Sequence, residues 1–200
     1  MQAFKLVPVA AFLLAACGGG DAADSGAADS APAGQPAAPA AAVGPTLPSG
    51  ALTVPDWYSV DHDAGTVNVT LTAGSTPDNN YWNYNGAIRG QLAITVPEGY
   101  TVTIDLVNQD PNMAHSVGVS SELSNFAIPP APNPVFDGAM TQNPQSMVDA
   151  TMPGESESIT FVADAAGNYS LVCYIPGHSA VGMWLYFVVS AADEAGVRGL

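Results

Sequence analysis

An all-β fold, either a sandwich or a small barrel, is what this sequence predicts, on three observations. Apolar and polar residues alternate with a period of two in six short runs, the signature of half-buried strands. Clusters of Asp, Asn, Gly and Pro separate those runs. No window between residues 51 and 190 sustains a helical period with caps at its ends.

The runs follow in order. Thr66–Thr72 (Thr-Val-Asn-Val-Thr-Leu-Thr) alternates cleanly after the turn Asp63-Ala64-Gly65, and Gln91–Val96 alternates more weakly. After Pro97-Glu98-Gly99, Thr101–Val107 sets Val102, Ile104 and Leu106 on one face and Thr101, Thr103 and Asp105 on the other. A further strand is expected near Val117, beyond the turn Asp110-Pro111-Asn112. Ser158–Val162 and Tyr169–Cys173 repeat the pattern on either side of Ala166-Gly167-Asn168, and Met183–Val189 closes the series. Residues 121–156 break the rhythm: they hold six prolines and no clean period, so they read as a long excursion over one edge of the fold, with a short helical turn at Ser121–Phe126.

Two segments precede this domain. Residues 1–16 carry Lys5 and then an apolar run from Leu6 to Ala16, the layout of a signal peptide and too short for a permanent membrane span. Leu14-Ala15-Ala16-Cys17 resembles a bacterial lipobox, which implies cleavage before Cys17 and a lipid on that residue. Residues 17–50 form a tether; positions 18–50 alone hold 11 alanines and 5 prolines and too little apolar bulk to offset the entropy of ordering. The domain is expected over residues 51–190 and a C-terminal tail over 191–200. The expected location is the cell envelope, on the extracytoplasmic side of a membrane.

Charge excludes some functions. The 200 residues carry 18 acidic against 3 basic side chains, a formal net charge of −15, which leaves no basic footprint for nucleic acid or for anionic lipid. Two cysteines 156 positions apart make no disulfide framework.

The chemistry lies in a sparse set of soft and borderline ligands. Cys173, His178 and Met183 follow the spacing Cys-x4-His-x4-Met, and His115 stands 58 positions before Cys173, at a strand start. Two histidines and a thiolate with a weak axial thioether are the ligands of a blue-copper electron-transfer site. A free cysteine in an oxidising compartment is a liability that copper ligation removes. His62, in the polar stretch Asp61-His62-Asp63, has no such company. There is no second metal cluster and no second loop cysteine for a binuclear centre, so no enzyme is expected. Ile175, Pro176, Ala180 and Val181 flank His178 and read as an apolar collar around a reachable imidazole edge, a contact patch for a redox partner toward which the acidic surface steers.

The segment from Cys173 to Trp184 (Cys-Tyr-Ile-Pro-Gly-His-Ser-Ala-Val-Gly-Met-Trp) resembles the copper loop of cupredoxins, and within them that of the sulfocyanin and rusticyanin-like group. Asn79–Gly86 (Asn-Asn-Tyr-Trp-Asn-Tyr-Asn-Gly) is similar to an aromatic-asparagine segment of that group, and Asn112–Gly118 to its upstream histidine segment. The resemblance, over about residues 52–190, implies a Greek-key β-sandwich of the cupredoxin type, one copper ion, and one-electron transfer with redox partners such as a cytochrome or a terminal oxidase. It implies His115, Cys173 and His178 as equatorial ligands and Met183 as the axial one. Ser116 stands where many cupredoxins have asparagine, which implies a raised potential set from outside the ligand shell. The domain is expected to be monomeric. A copper-trafficking or buffering lipoprotein would use the same ligands.

Overall fold

The computed structural model describes residues 46–199. The segments expected as signal peptide, lipidated Cys17 and most of the tether lie outside the described residues.

Among the described residues nine strands form two sheets: β1 (Tyr58–Asp61), β2 (Thr66–Ala73), β3 (Ala93–Pro97), β4 (Thr101–Asn108), β5 (Gly118–Ser120), β6 (Ser156–Val162), β7 (Gly167–Val172), β8 (Trp184–Ser190) and β9 (Gly196–Arg198). One sheet runs β1-β2-β4-β6 and the other β5-β7-β8-β3-β9. From β2 to β7 the chain changes sheet at each successive strand, the crossing pattern of a Greek-key sandwich. Two pairings are parallel, β2 with β4 and β3 with β8, and the rest are antiparallel.

The alternation seen in sequence is the alternation of burial. On β2 and β4 the apolar members Val67, Val69, Leu71, Val102, Ile104 and Leu106 are buried, and they share one core with Ile94, Val96, Leu171, Leu185 and Phe187 of the opposing sheet. β3 is buried at every position because it lies between β8 and β9 in the second sheet, so its sequence alternates only weakly. The segment expected as a tail after residue 190 instead returns to the sheet: β9 pairs with β3, and Thr53 and Val197 exchange backbone hydrogen bonds of 3.0 and 2.8 Å.

The excursion at 121–156 contains no helix; the helical turn expected at Ser121–Phe126 is irregular chain. It lies along β5, where Val119 donates to Ala139 O and Val135 donates to Val119 O, and its far end clamps His115 through a pair of backbone bonds with Thr151 at 3.0 and 3.1 Å. The sole helical element among the described residues is a 3-10 turn, Asp78–Tyr81, just before Trp82.

Candidate metal centre

His115 is built from the end of β4 outward. Asn108 closes that strand by donating from its side chain to Met113 O and Thr151 O, each at 2.8 Å. Asp110 then folds the Asp-Pro-Asn turn onto itself, its Oδ1 accepting the amides of Asn112 and Met113 at 2.8 and 3.1 Å. Its second oxygen, Oδ2, lies 2.9 Å from His115 Nε2, with both side chains fully buried. A carboxylate can only accept, so Nε2 carries the proton and Nδ1 presents a lone pair. Burial lowers the His115 pKa, against the opposing pull of Asp110, and the imidazole stays neutral.

The other donors come from the turn between β7 and β8. Cys173 donates its amide to Met183 O at 3.2 Å, Met183 donates to His178 O at 2.9 Å, and His178 donates to Ile175 O at 3.1 Å. These bonds close the loop and aim Cys173 Sγ and His178 Nδ1 at the same point. The His178 pKa is pushed down to about 3, first by burial and then by the neighbouring His115. Burial raises the Cys173 thiol, while hydrogen bonds from Ser116 and Ile175 pull the other way.

The three donors converge. His115 Nδ1 and His178 Nδ1 are 3.2 Å apart, and Cys173 Sγ is 3.9 and 3.6 Å from them. A triangle with those sides has a circumradius of about 2.1 Å, the length of a metal–imidazole bond and about 0.2 Å short of a metal–thiolate bond. Two neutral imidazoles and a thiol, all buried, turn their lone pairs toward one another, so the donor set fits one trigonal, copper-sized ion. Met183 is fully buried at the end of the loop and tied by its backbone to both Cys173 and His178.

Ser116 lies beside the thiol. Its hydroxyl accepts the Tyr174 amide at 2.9 Å and sits 3.8 Å from Cys173 Sγ, so its proton is free to point at sulfur. The Tyr84 hydroxyl donates to Ser116 O and holds that residue in place. His62 is apart from the site, exposed and bonded to the Tyr100 hydroxyl at 3.0 Å.

One expectation is corrected. His178 offers no open edge: it is 1% exposed, and the indole of Trp82 stacks on its ring at 3.9 Å between centroids and 18° between planes. Of the expected collar, Ile175 is core, while Pro176, Ala180 and Val181 are exposed on the loop. The roof comes from a segment almost a hundred residues upstream in the chain, which loop composition alone does not show. Asp110 and Tyr84 were missed as well. The spacing Asp110-x4-His115 was visible in the sequence, but only the folded turn reveals which ring nitrogen the carboxylate faces.

The Sulfocyanin (SoxE) domain family matches residues 55–195, well over half of the chain. The chain belongs to the sulfocyanin family. A sulfocyanin from Sulfolobus acidocaldarius is 33% identical over 132 residues, covering 62% of this chain and 64% of that protein. The match therefore spans less than two thirds of that sulfocyanin's length. Rusticyanin from Acidithiobacillus ferrooxidans is 25% identical over 132 residues, covering 66% of this chain and 67% of the relative. Among solved structures, a rusticyanin from Thiobacillus ferrooxidans aligns with a TM-score of 0.48 at 24% identity, over 68% of this chain and 87% of the other. In this sulfocyanin domain the matched span holds His115, Ser116, Cys173, His178 and Met183, together with Trp82 and Asp110.

Proposed function

We propose that this sulfocyanin-family protein is a blue copper electron carrier, held at an extracytoplasmic membrane surface by lipid on Cys17, that passes single electrons between redox proteins such as a cytochrome and a terminal oxidase. The observation that carries the reading is the donor triangle of His115, Cys173 and His178. Copper bound there supplies one-electron exchange between Cu(I) and Cu(II). Met183 would supply a weak thioether donor, and Ser116 would tune the thiolate by donating a hydrogen bond to it.

The protein's own part is rigidity and exclusion of water. His115 is fixed on one ring nitrogen by Asp110 and along its backbone by Thr151. Cys173, His178 and Met183 are held by the bonded loop. Donors that are already in place do not have to move when charge changes, which keeps reorganisation small. Burial of all four side chains keeps water out. Trp82 is the covering group through which an electron reaches the surface from His178. The trafficking alternative is less well supported, because handing metal to a chelator needs a donor that solvent can reach, and here His115, Cys173 and His178 are at most 1% exposed.

Purified full chain loaded with copper and oxidised is expected to show an intense visible thiolate-to-copper band and reversible one-electron voltammetry. Cys173→Ser should lose the band and keep the fold. Met183→Gln should lower the potential and Met183→Leu should raise it, both with color retained. A band that survives Cys173→Ser removes the assignment, and potentials unmoved by both Met183 changes remove Met183 from the axis.

A further inference from the structure

The copper loop has a second feature on its outer side. Arg89 and Arg198 are the only basic side chains among the described residues of a chain that carries 18 acids. Arg198 is paired with Glu194 at 3.3 Å. Arg89 has no carboxylate partner among the described residues, and it is held in place. Its backbone sits in the left-handed region at φ 50° and donates to Gly182 O at 2.8 Å. Its side chain lies across Gly182: a Cβ on that glycine would stand 2.6 Å from Arg89 Cγ and 3.0 Å from Nε. The guanidinium is thus laid over the loop between His178 and Met183, in contact with a position that only glycine can occupy.

It lines a cavity of about 440 Å³ together with Ser124, Asn125 and Ser179, walled by Phe126 and Trp184, whose rings meet edge to face at 5.6 Å. Ser179 directly follows the ligand His178. It is 2% exposed, and its hydroxyl is buried without a hydrogen-bond partner. The solvent-facing Arg89 guanidinium, the unmet Ser179 hydroxyl and the Asn125 side chain line one recess, a set of donors that suits an acceptor with negative charge.

We propose that this cavity is a carboxylate-binding site, filled by a carboxylate on the electron-transfer partner. The proposal rests on the carrier reading above. The guanidinium forks onto a planar carboxylate through two parallel N–H donors, matching it in both charge and geometry. The acidic remainder of the surface selects a partner that is basic over most of its face. A single acidic side chain on that face then keys into Arg89 and sets the register, and its neighbours come to rest on the exposed Pro176, Ala180 and Val181, directly over the loop that carries Cys173, His178 and Met183.

The test has two arms. In the first, the metal-free full chain is titrated with sodium acetate at ionic strength held constant with sodium chloride, and the Arg89 Nε–H and Ser179 amide resonances are followed. Saturable shifts in the wild type that vanish in Arg89→Gln are expected, with the rest of the spectrum unchanged. A non-saturating drift overturns the site. In the second arm, oxidised copper-loaded chain is mixed with Fe(II)–EDTA, which carries carboxylates, or with hexaammineruthenium(II), which carries none. One electron passes from the reagent to the protein, giving Fe(III)–EDTA or ruthenium(III) and the Cu(I) form. Arg89→Gln should slow the iron reaction about ten-fold, the loss of one charge-assisted hydrogen bond. It should not slow the ruthenium reaction and should leave the visible band unchanged. Arg89→Lys, which keeps the charge without the fork, should recover only part of the rate. Saturable acetate binding with an unaffected iron rate makes a free small carboxylate the ligand and overturns the docking role. Acetate binding in a chain that never develops the visible band retains the cavity and sinks the carrier reading instead.

Discussion

Asp110 stands behind His115 and acts on the site without touching its centre. In the proposed function, the carboxylate accepting from Nε2 would make the imidazole a stronger donor at Nδ1 and stabilise the more highly charged metal state. Asp110→Asn replaces a charged acceptor by a neutral one, and the difference is about 1 kcal/mol, equivalent to about 40 mV for one electron. The expected outcome is a potential raised by that order with the visible band intact, read by voltammetry; an unmoved potential reduces Asp110 to a turn former. His178 gives a second residue-scale expectation. Its folded pKa of about 3 lies below the ordinary histidine value of about 6.5 that it regains on unfolding, so the unfolded chain binds the extra proton first. The stabilisation is complete above pH ~6.5 and is lost as pH falls toward ~3. In urea denaturation of the metal-free chain, the wild-type midpoint should fall over this range relative to that of His178→Gln; parallel midpoints contradict it. The cluster of His115, Cys173 and His178 was legible from sequence because soft donors are rare and their spacing in a loop survives folding. Asp110 was not, since its meaning lies in which ring nitrogen it meets.

The elements follow a similar rule. Strands of five or more residues with one face in the core carried their period openly, as β2, β4 and β6 did. β1, β5 and β9 have only three or four residues, too few for the period to repeat, and β9 draws its stability from pairing with β3 rather than from its own pattern. The excursion at 121–156 was legible as an excursion but not as the clamp on His115, because its pairing partner is chosen by tertiary contact. The junction of the Arg89 turn with β8 depends on one glycine. Gly90 sits at φ 68°, and a Cβ there would lie 2.5 Å from Trp184 Cζ3 and 2.6 Å from Tyr186 Cε2. Gly90→Ala therefore combines left-handed strain of roughly 1–2 kcal/mol with overpacking of about 1–3 kcal/mol. A clear drop in denaturation midpoint is expected, whereas a change within about 0.5 kcal/mol, the range of a neutral surface substitution, would show that the aromatic pair yields.

At the scale of the whole molecule, charge and chain order divide the labour. The acids spread over the surface reduce its attraction to anionic surfaces, so membrane attachment in the proposed function falls to lipid rather than to charge. Replacing Cys17 by Ser is expected to move the protein from the membrane to the soluble fraction on cell fractionation, with the copper band of the released protein unaltered. Equal distribution of both forms would remove the anchor.

The stack of Trp82 on His178 also has an optical consequence. The indole Nε1 is buried and makes no hydrogen bond, so this tryptophan emits from an apolar setting, while its ring lies in contact with His178, a metal donor in the proposed function. Trp57 and Trp184 have no such imidazole contact among the described residues. The fluorescence of one side chain is thus coupled to the occupancy and charge of the centre, and the molecule carries its own gauge of whether the site is filled and in which state.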